Sequence, residues 1–138
     1  MGEKILVIDD EKGFVLLVKY ILKRDGYTVV TAYDGEEGLL KAKKEKPDLI
    51  ICDINMPKKN GYEVLKGVRQ EVDKNTPFIM LTAVEEFKKV EEAYEYDASF
   101  YISKPVEFAI LLRSVRILLD VEKNRRGRDE GQNEPSPS

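Results

Sequence analysis

The apolar positions fall into two alternating kinds of stretch. Ile5-Leu6-Val7-Ile8 is a continuous apolar run, the pattern of a strand covered on both faces. Phe14, Leu17, Val18, Ile21 and Leu22 then recur at helical spacing, which predicts an amphipathic helix with those five on its buried face. Asp25-Gly26 ends it, with Gly26 suited to the helix C-terminus. Tyr27 to Tyr33 reads as a second strand, rich in β-branched residues. A weaker helix runs through Leu39, Leu40 and Ala42 after Asp34-Gly35. Gly38 weakens it by ~1 kcal/mol relative to Ala, and Pro47 stops it. Asp48 to Asp53 is a third strand, and Asn55-Met56-Pro57-Lys58-Lys59-Asn60-Gly61 is a loop by composition. Val64, Leu65, Val68 and Val72 mark a third helix, and Pro77 to Leu81 a fourth strand. Phe87, Val90, Ala93 and Tyr94 mark a short, sparsely apolar fourth helix, and Ala98 to Ser103 a fifth strand. Pro105 opens a last helix carrying Phe108, Leu111, Leu112, Val115, Leu118 and Leu119.

Five strands alternating with five helices predict an α/β fold with a parallel sheet covered on both faces. The apolar pattern stops near Asp120. Residues 1–122 are therefore expected to form one domain. Residues 123–138, polar and charged, are expected to be a disordered tail or linker, with the basic run Lys123, Arg125, Arg126 and Arg128 solvated.

Composition narrows the chemistry. The chain has 138 residues, 23 Lys and Arg against 26 Asp and Glu, one Cys and no His. Without His there is no Ser-His-Asp or Cys-His arrangement and no His general base. One Cys allows neither an internal disulfide nor a thiolate zinc cluster, and Cys52 reads as buried core. A formal net charge of -3 argues against nucleic-acid binding driven by bulk charge. The apolar run after Met1-Gly2-Glu3-Lys4 is too short for a signal peptide or a membrane span. Leu6 also stands where a myristoylation start wants Ser or Thr. The reading is a soluble, cytoplasmic protein with no membrane contact.

In an open α/β sheet, ligands bind beyond the carboxyl ends of the strands. There the first strand offers Asp9-Asp10-Glu11, the third Asp53, the fourth Thr82-Ala83 and the fifth Ser103-Lys104-Pro105. Each has an ordinary reading in isolation: helix N-caps for the acid pair and for Thr82, a solvated loop acid for Asp53, a helix-opening Pro after Lys104. All of them fall at one edge, however. Carboxylates gathered this way repel one another unless a cation intervenes, and Mg²⁺ suits two or three carboxylates with a backbone carbonyl and water. Lys104 adds a positive charge, Thr82 a hydroxyl and Ala83 a backbone N–H. Such a set suits phosphoryl transfer. A carboxylate can itself be the nucleophile, and Asp53 is the best placed to reach both metal and Lys.

This ordered set, Asp9-Asp10, Asp53 followed by Met56-Pro57 and Gly61, Thr82-Ala83, and Lys104-Pro105, resembles the receiver (CheY-like) domain of two-component response regulators over roughly residues 3–122. The resemblance implies a flavodoxin-like (βα)5 doubly wound parallel sheet with strand order 2-1-3-4-5, for which a member of the family is a standard example. It implies Asp53 as phosphoacceptor. Asp10 would hold Mg²⁺ directly, Asp9 mainly through water, and Asn55 would offer its backbone carbonyl. Thr82 and Tyr101 would be the switch pair, and Lys104 the partner of the phosphoryl oxygens, followed by a cis peptide to Pro105. The implied phosphodonor is a phosphohistidine on a sensor histidine kinase or phosphotransfer protein, or a small acyl phosphate. The implied readout is a partner-binding surface on the fourth helix, fifth strand and last helix, which also allows a homodimer. The downstream target and any output domain are not readable, and no direct nucleic-acid binding by this domain is expected.

Two departures stand out. Asp97 replaces a common Gly before the fifth strand, in a turn Asp tolerates. Val84, two residues after Thr82, cannot orient an attacking water, so slow self-dephosphorylation is expected. The rivals are weaker. A Mg²⁺-dependent phosphatase with an aspartyl nucleophile usually wants a second Asp where Asn55 stands. A flavin or nucleotide binder wants a phosphate loop where the acid pair stands.

Overall fold

A computed structural model of the chain describes residues 2–83 and 98–133. Strands β1 (Lys4–Ile8), β2 (Thr28–Ala32), β3 (Leu49–Asp53), β4 (Phe78–Ala83) and β5 (Phe100–Lys104) alternate with helices α1 (Lys12–Arg24), α2 (Gly35–Glu45), α3 (Gly61–Glu71) and α4 (Phe108–Asn133). The five strands form one parallel sheet in the order β2-β1-β3-β4-β5. This is the doubly wound order expected. The predicted fourth helix, with Phe87, Val90, Ala93 and Tyr94, lies outside the described residues, as do Val84 and Asp97.

Alternation along the strands builds two cores. On one face Leu6, Ile8, Ile50, Cys52, Phe78 and Met80 pack against Leu39 and Ala42 of α2 and Val64, Leu65 and Val68 of α3. On the other, Ile5, Val7, Leu49, Ile51, Ile79, Leu81 and Ile102 meet Val15, Val18 and Leu22 of α1 and Leu111 and Val115 of α4. The central strands β1, β3 and β4 are therefore apolar on both sides, and polar residues reach them only near their ends.

The helix ends follow their local chemistry. Gly26 takes φ +97° after α1, and the N–H groups of Gly26 and Tyr27 reach back to Lys23 O and Leu22 O at 3.1 and 3.2 Å, a Schellman closure. Asp34 caps α2 through Glu37 N–H at 2.7 Å, and Asn60 with Glu63 forms a capping box on α3. Gly38 sits inside α2 because a Cβ there would lie 2.6 Å from the Ile8 side chain. Close approach of helix to sheet offsets its low propensity.

Two expectations need correction. Leu17 is not on the buried face of α1: it is 46% exposed, and Val15 takes its place beside Val18 and Leu22. The chain after residue 122 is also not disordered throughout, because α4 continues to Asn133. Charge pairs replace apolar packing there. Glu122, nearly buried, accepts from Arg125 at 2.7 Å and Arg126 at 3.2 Å, one helical turn away. Arg126 also approaches Asp48, at 4.0 Å. Glu, Lys and Arg are good helix formers, so loss of the apolar stripe does not by itself end a helix.

Candidate functional site

β1, β3 and β5 all end at the same edge of the sheet, and each delivers a charged side chain there. Asp9 follows β1 and is fully buried, Asp10 beside it is exposed, and Asp53 closes β3 nearly buried. Lys104 closes β5. Its Nζ donates to Asp9 Oδ2 at 3.0 Å and lies 3.5 Å from Asp53 Oδ2 and 3.9 Å from Glu11 Oε1. The other oxygen of Asp9 accepts Glu11 N–H at 3.0 Å, so Asp9 also ties down the turn into α1. Glu11 is the N-cap and makes no capping bond of its own. The loop after β3 is closed by Gly61 N–H to Ile54 O at 2.8 Å. Gly61 is needed there because a Cβ would lie 2.6 Å from Asp53 O.

The charges do not balance. Three carboxylates converge, with an oxygen from each of Asp9, Asp10 and Asp53 within 4.8 Å of the others, against the single ammonium of Lys104. Burial, and then the charge of Asp9, push the Asp53 carboxyl up to about 6, with Lys104 pulling it back in part. Burial likewise raises Asp9, against the hydrogen bonds from Glu11 N–H and Lys104. For Lys104 burial opposes the charge. The Asp9 hydrogen bond and the nearby acids outweigh that and hold its ammonium above the ordinary range. A divalent cation would relieve the carboxylates. Opposite oxygens of a six-coordinate Mg²⁺ lie ~4.2 Å apart, close to the span of this cluster. The donors are hard oxygens and Asp10 faces water, so the residues fit such an ion.

The remaining expected residues are placed as follows. Thr82 and Ala83 are the last two residues of β4, which runs two residues beyond the predicted end. Thr82 is fully buried, and its hydroxyl donates to Ala83 O at 3.1 Å rather than to Asp53. Tyr101 is half-buried on β5, in register with Met80, and packs on the α2–α3 side core with its hydroxyl out of solvent. Asn55 is exposed at the start of the loop. The Lys104-Pro105 peptide is cis. Sequence reasoning placed Glu11 at this edge without assigning it a role, and it missed a second neighbour of Lys104, the ring of Phe14, whose centroid lies 5.1 Å from Nζ. Phe14 reads as simple core in α1, and nothing local signals a contact with a residue ninety positions away.

Known proteins share this fold. The family profile of the response regulator receiver domain matches residues 5–116. The chain belongs to this family. The receiver domain is 52% identical over 106 residues to the alkaline phosphatase synthesis transcriptional regulatory protein PhoP of Bacillus subtilis, covering 76% of this chain and 43% of that protein. The chain thus spans less than half the length of that relative. Among solved structures it resembles the CheY-like receiver domain protein of Methanospirillum hungatei, with TM-score 0.86 and 29% identity over 91% of this chain and 99% of that one. It also resembles the chemotaxis protein CheY4 of Vibrio cholerae, with TM-score 0.79 and 37% identity over 86% and 99%. The domain is thus a signalling module of two-component systems. No helix among its described residues is long and apolar enough to cross a membrane.

Proposed function

We propose that this receiver domain accepts a phosphoryl group on Asp53 and uses it to change a partner-binding surface. The observation that carries this reading is Asp53 itself, a nearly buried carboxylate beside two further acids and 3.5 Å from Lys104 Nζ. A carboxylate oxygen of Asp53 attacks phosphorus as the bond from phosphorus to the donor breaks, whether that donor is the imidazole nitrogen of a partner kinase or phosphotransfer protein or the leaving oxygen of a small acyl phosphate. The product is an aspartyl phosphate, and the donor leaves with the electron pair of the broken bond. Bound Mg²⁺, held by Asp9, Asp10, Asp53 and the Asn55 carbonyl, would neutralise charge on the phosphoryl oxygens. Lys104 steadies the same oxygens, and the Ala83 N–H and Thr82 hydroxyl supply donors. Thr82 must turn from Ala83 O to do so. That turn vacates space beside β5 for Tyr101, already directed inward.

The readout we assign to β5, α4 and the segment before β5. Phe100 on β5 and Ile110, Ile117 and Val121 on α4 are exposed apolar side chains, and the three on α4 share one helical face. Phosphorylation shifts the balance only as far as its differential interaction with the two states allows.

Incubation with acetyl phosphate and Mg²⁺ followed by intact-mass measurement tests the reading. The wild-type chain should gain one phosphoryl group and Asp53→Asn none. Equal labelling of both, labelling of neither, or turnover of an added phosphomonoester without retention would overturn it.

A further inference from the structure

Gly35 opens α2, far from Asp53 in sequence, yet it is the residue against which the loop after β3 rests. A Cβ on Gly35 would fall into the Lys59 carbonyl group, inside van der Waals reach of its oxygen and 2.7 Å from both its carbon and the Lys59 Cβ. Ordinary contact begins near 3.4 Å. Gly35 is not among the glycines with positive φ. It is therefore glycine for space, not for backbone freedom, and the space is filled by the loop. A second contact joins the same elements: Asp34 Oδ2 faces Lys58 Nζ at 3.7 Å while Asp34 Oδ1 caps α2.

Neither side can yield easily. The loop is short and tied, with Lys59 N–H on Pro57 O at 2.9 Å and Gly61 N–H on Ile54 O at 2.8 Å. Its far end is fixed by the Asn60–Glu63 capping box and by the close fit of Gly61 on Asp53 O. α2 is held in turn by the close fit of Gly38 on Ile8. A displacement of Lys59 therefore passes back toward Asn55.

We propose that Gly35 is a positioning residue for the phosphoacceptor site: the bare backbone at the start of α2 sets the seat of the loop after β3, and with it the Asn55 carbonyl. This rests on the reading of the site as a Mg²⁺ site. Gly35→Ala should bind Mg²⁺ roughly tenfold more weakly than wild type, the scale seen when residues behind metal ligands are altered.

Mg²⁺ titration by calorimetry on the full chain tests this, with thermal melts in parallel. Gly67→Ala is the matched control. Its Cβ would lie 2.7 Å from the Leu39 side chain at the α2–α3 contact and away from the loop, so it should lower the melting temperature and leave Mg²⁺ affinity unchanged. Gly35→Ala/Lys59→Gly removes the Lys59 Cβ and frees its backbone, and should return affinity to within roughly threefold of wild type, because directly coupled sites are non-additive. If Gly35→Ala does not fold, recovery of folding and binding in the double variant supports the same contact. Wild-type affinity in a folded Gly35→Ala, equal weakening in Gly67→Ala, or no recovery in the double variant would overturn the inference alone. A wild-type chain that takes no Mg²⁺ would overturn the site reading beneath it.

Discussion

Lys104 Nζ lies 3.0 Å from Asp9 Oδ2 across ninety-five residues of chain, and Asp9 has no solvent exposure at all. The pair joins the edge strand β5 to the interior strand β1, across the ends of β3 and β4. Removing the ammonium leaves a buried carboxylate without its charged partner, which typically costs 3–5 kcal/mol. Lys104→Met should therefore lose about 3 kcal/mol of stability at pH 7.5 without divalent cations. Urea unfolding in EDTA measures this, and an unchanged midpoint would refute the pairing.

Asp53 gives a prediction of opposite sign. Its carboxyl rises from an ordinary 3.8 to about 6, so the folded state holds the proton more tightly than the unfolded one. That contribution is fully present below pH 3.8 and is lost as pH rises through 6. Two pH units at ~1.4 kcal/mol each give about 3 kcal/mol. Asp53→Asn should thus be more stable than wild type at pH 7.5 in EDTA by up to that amount, with the gap closing towards pH 4. A variant less stable at neutral pH would be inconsistent with the crowded carboxylates.

Asp10 separates metal binding from folding. It is the exposed member of the acid cluster, and exposed substitutions usually change stability by within ~0.5 kcal/mol. Asp10→Asn should melt like wild type in EDTA yet lose most of the stabilisation that Mg²⁺ gives wild type. For a ligand at 100 times its Kd, that stabilisation is about 2.7 kcal/mol. Equal Mg²⁺-induced shifts in the two proteins would remove Asp10 from the metal set.

The end of α4 depends on charge. Glu122 holds Arg125 and Arg126 while Arg126 reaches Asp48. Glu122→Ala should lower ellipticity at 222 nm by several residues' worth of helix and speed amide exchange after residue 122, with the sheet unaffected. Identical spectra would show that the last turns do not need these pairs.

The layered sheet and its site were legible because buried parallel strands are written as unbroken apolar runs. Polar residues such as Asp9, Asp53 and Lys104 could then only stand at their ends. The choice between Val15 and Leu17 was not legible. α1 is apolar nearly all round, with Leu16, Leu17 and Tyr20 exposed, and a stripe cannot be phased when both sides of it are filled. The helical end of α4 was missed because it is held by charge pairs rather than by an apolar stripe. The bond from Thr82 to Ala83 is a side-chain torsion choice that spacing does not encode.

Cys52, the one thiol, is wholly enclosed next to Asp53, and burial followed by the charges of Asp53 and Asp9 keeps its proton on. An alkylating reagent can reach it only when the α2–α3 layer that covers β3 opens. Its labelling rate in native buffer is thus a built-in clock for opening of the core beside Asp53, one that needs no added probe and that any ligand of the acid cluster should slow in proportion to its occupancy.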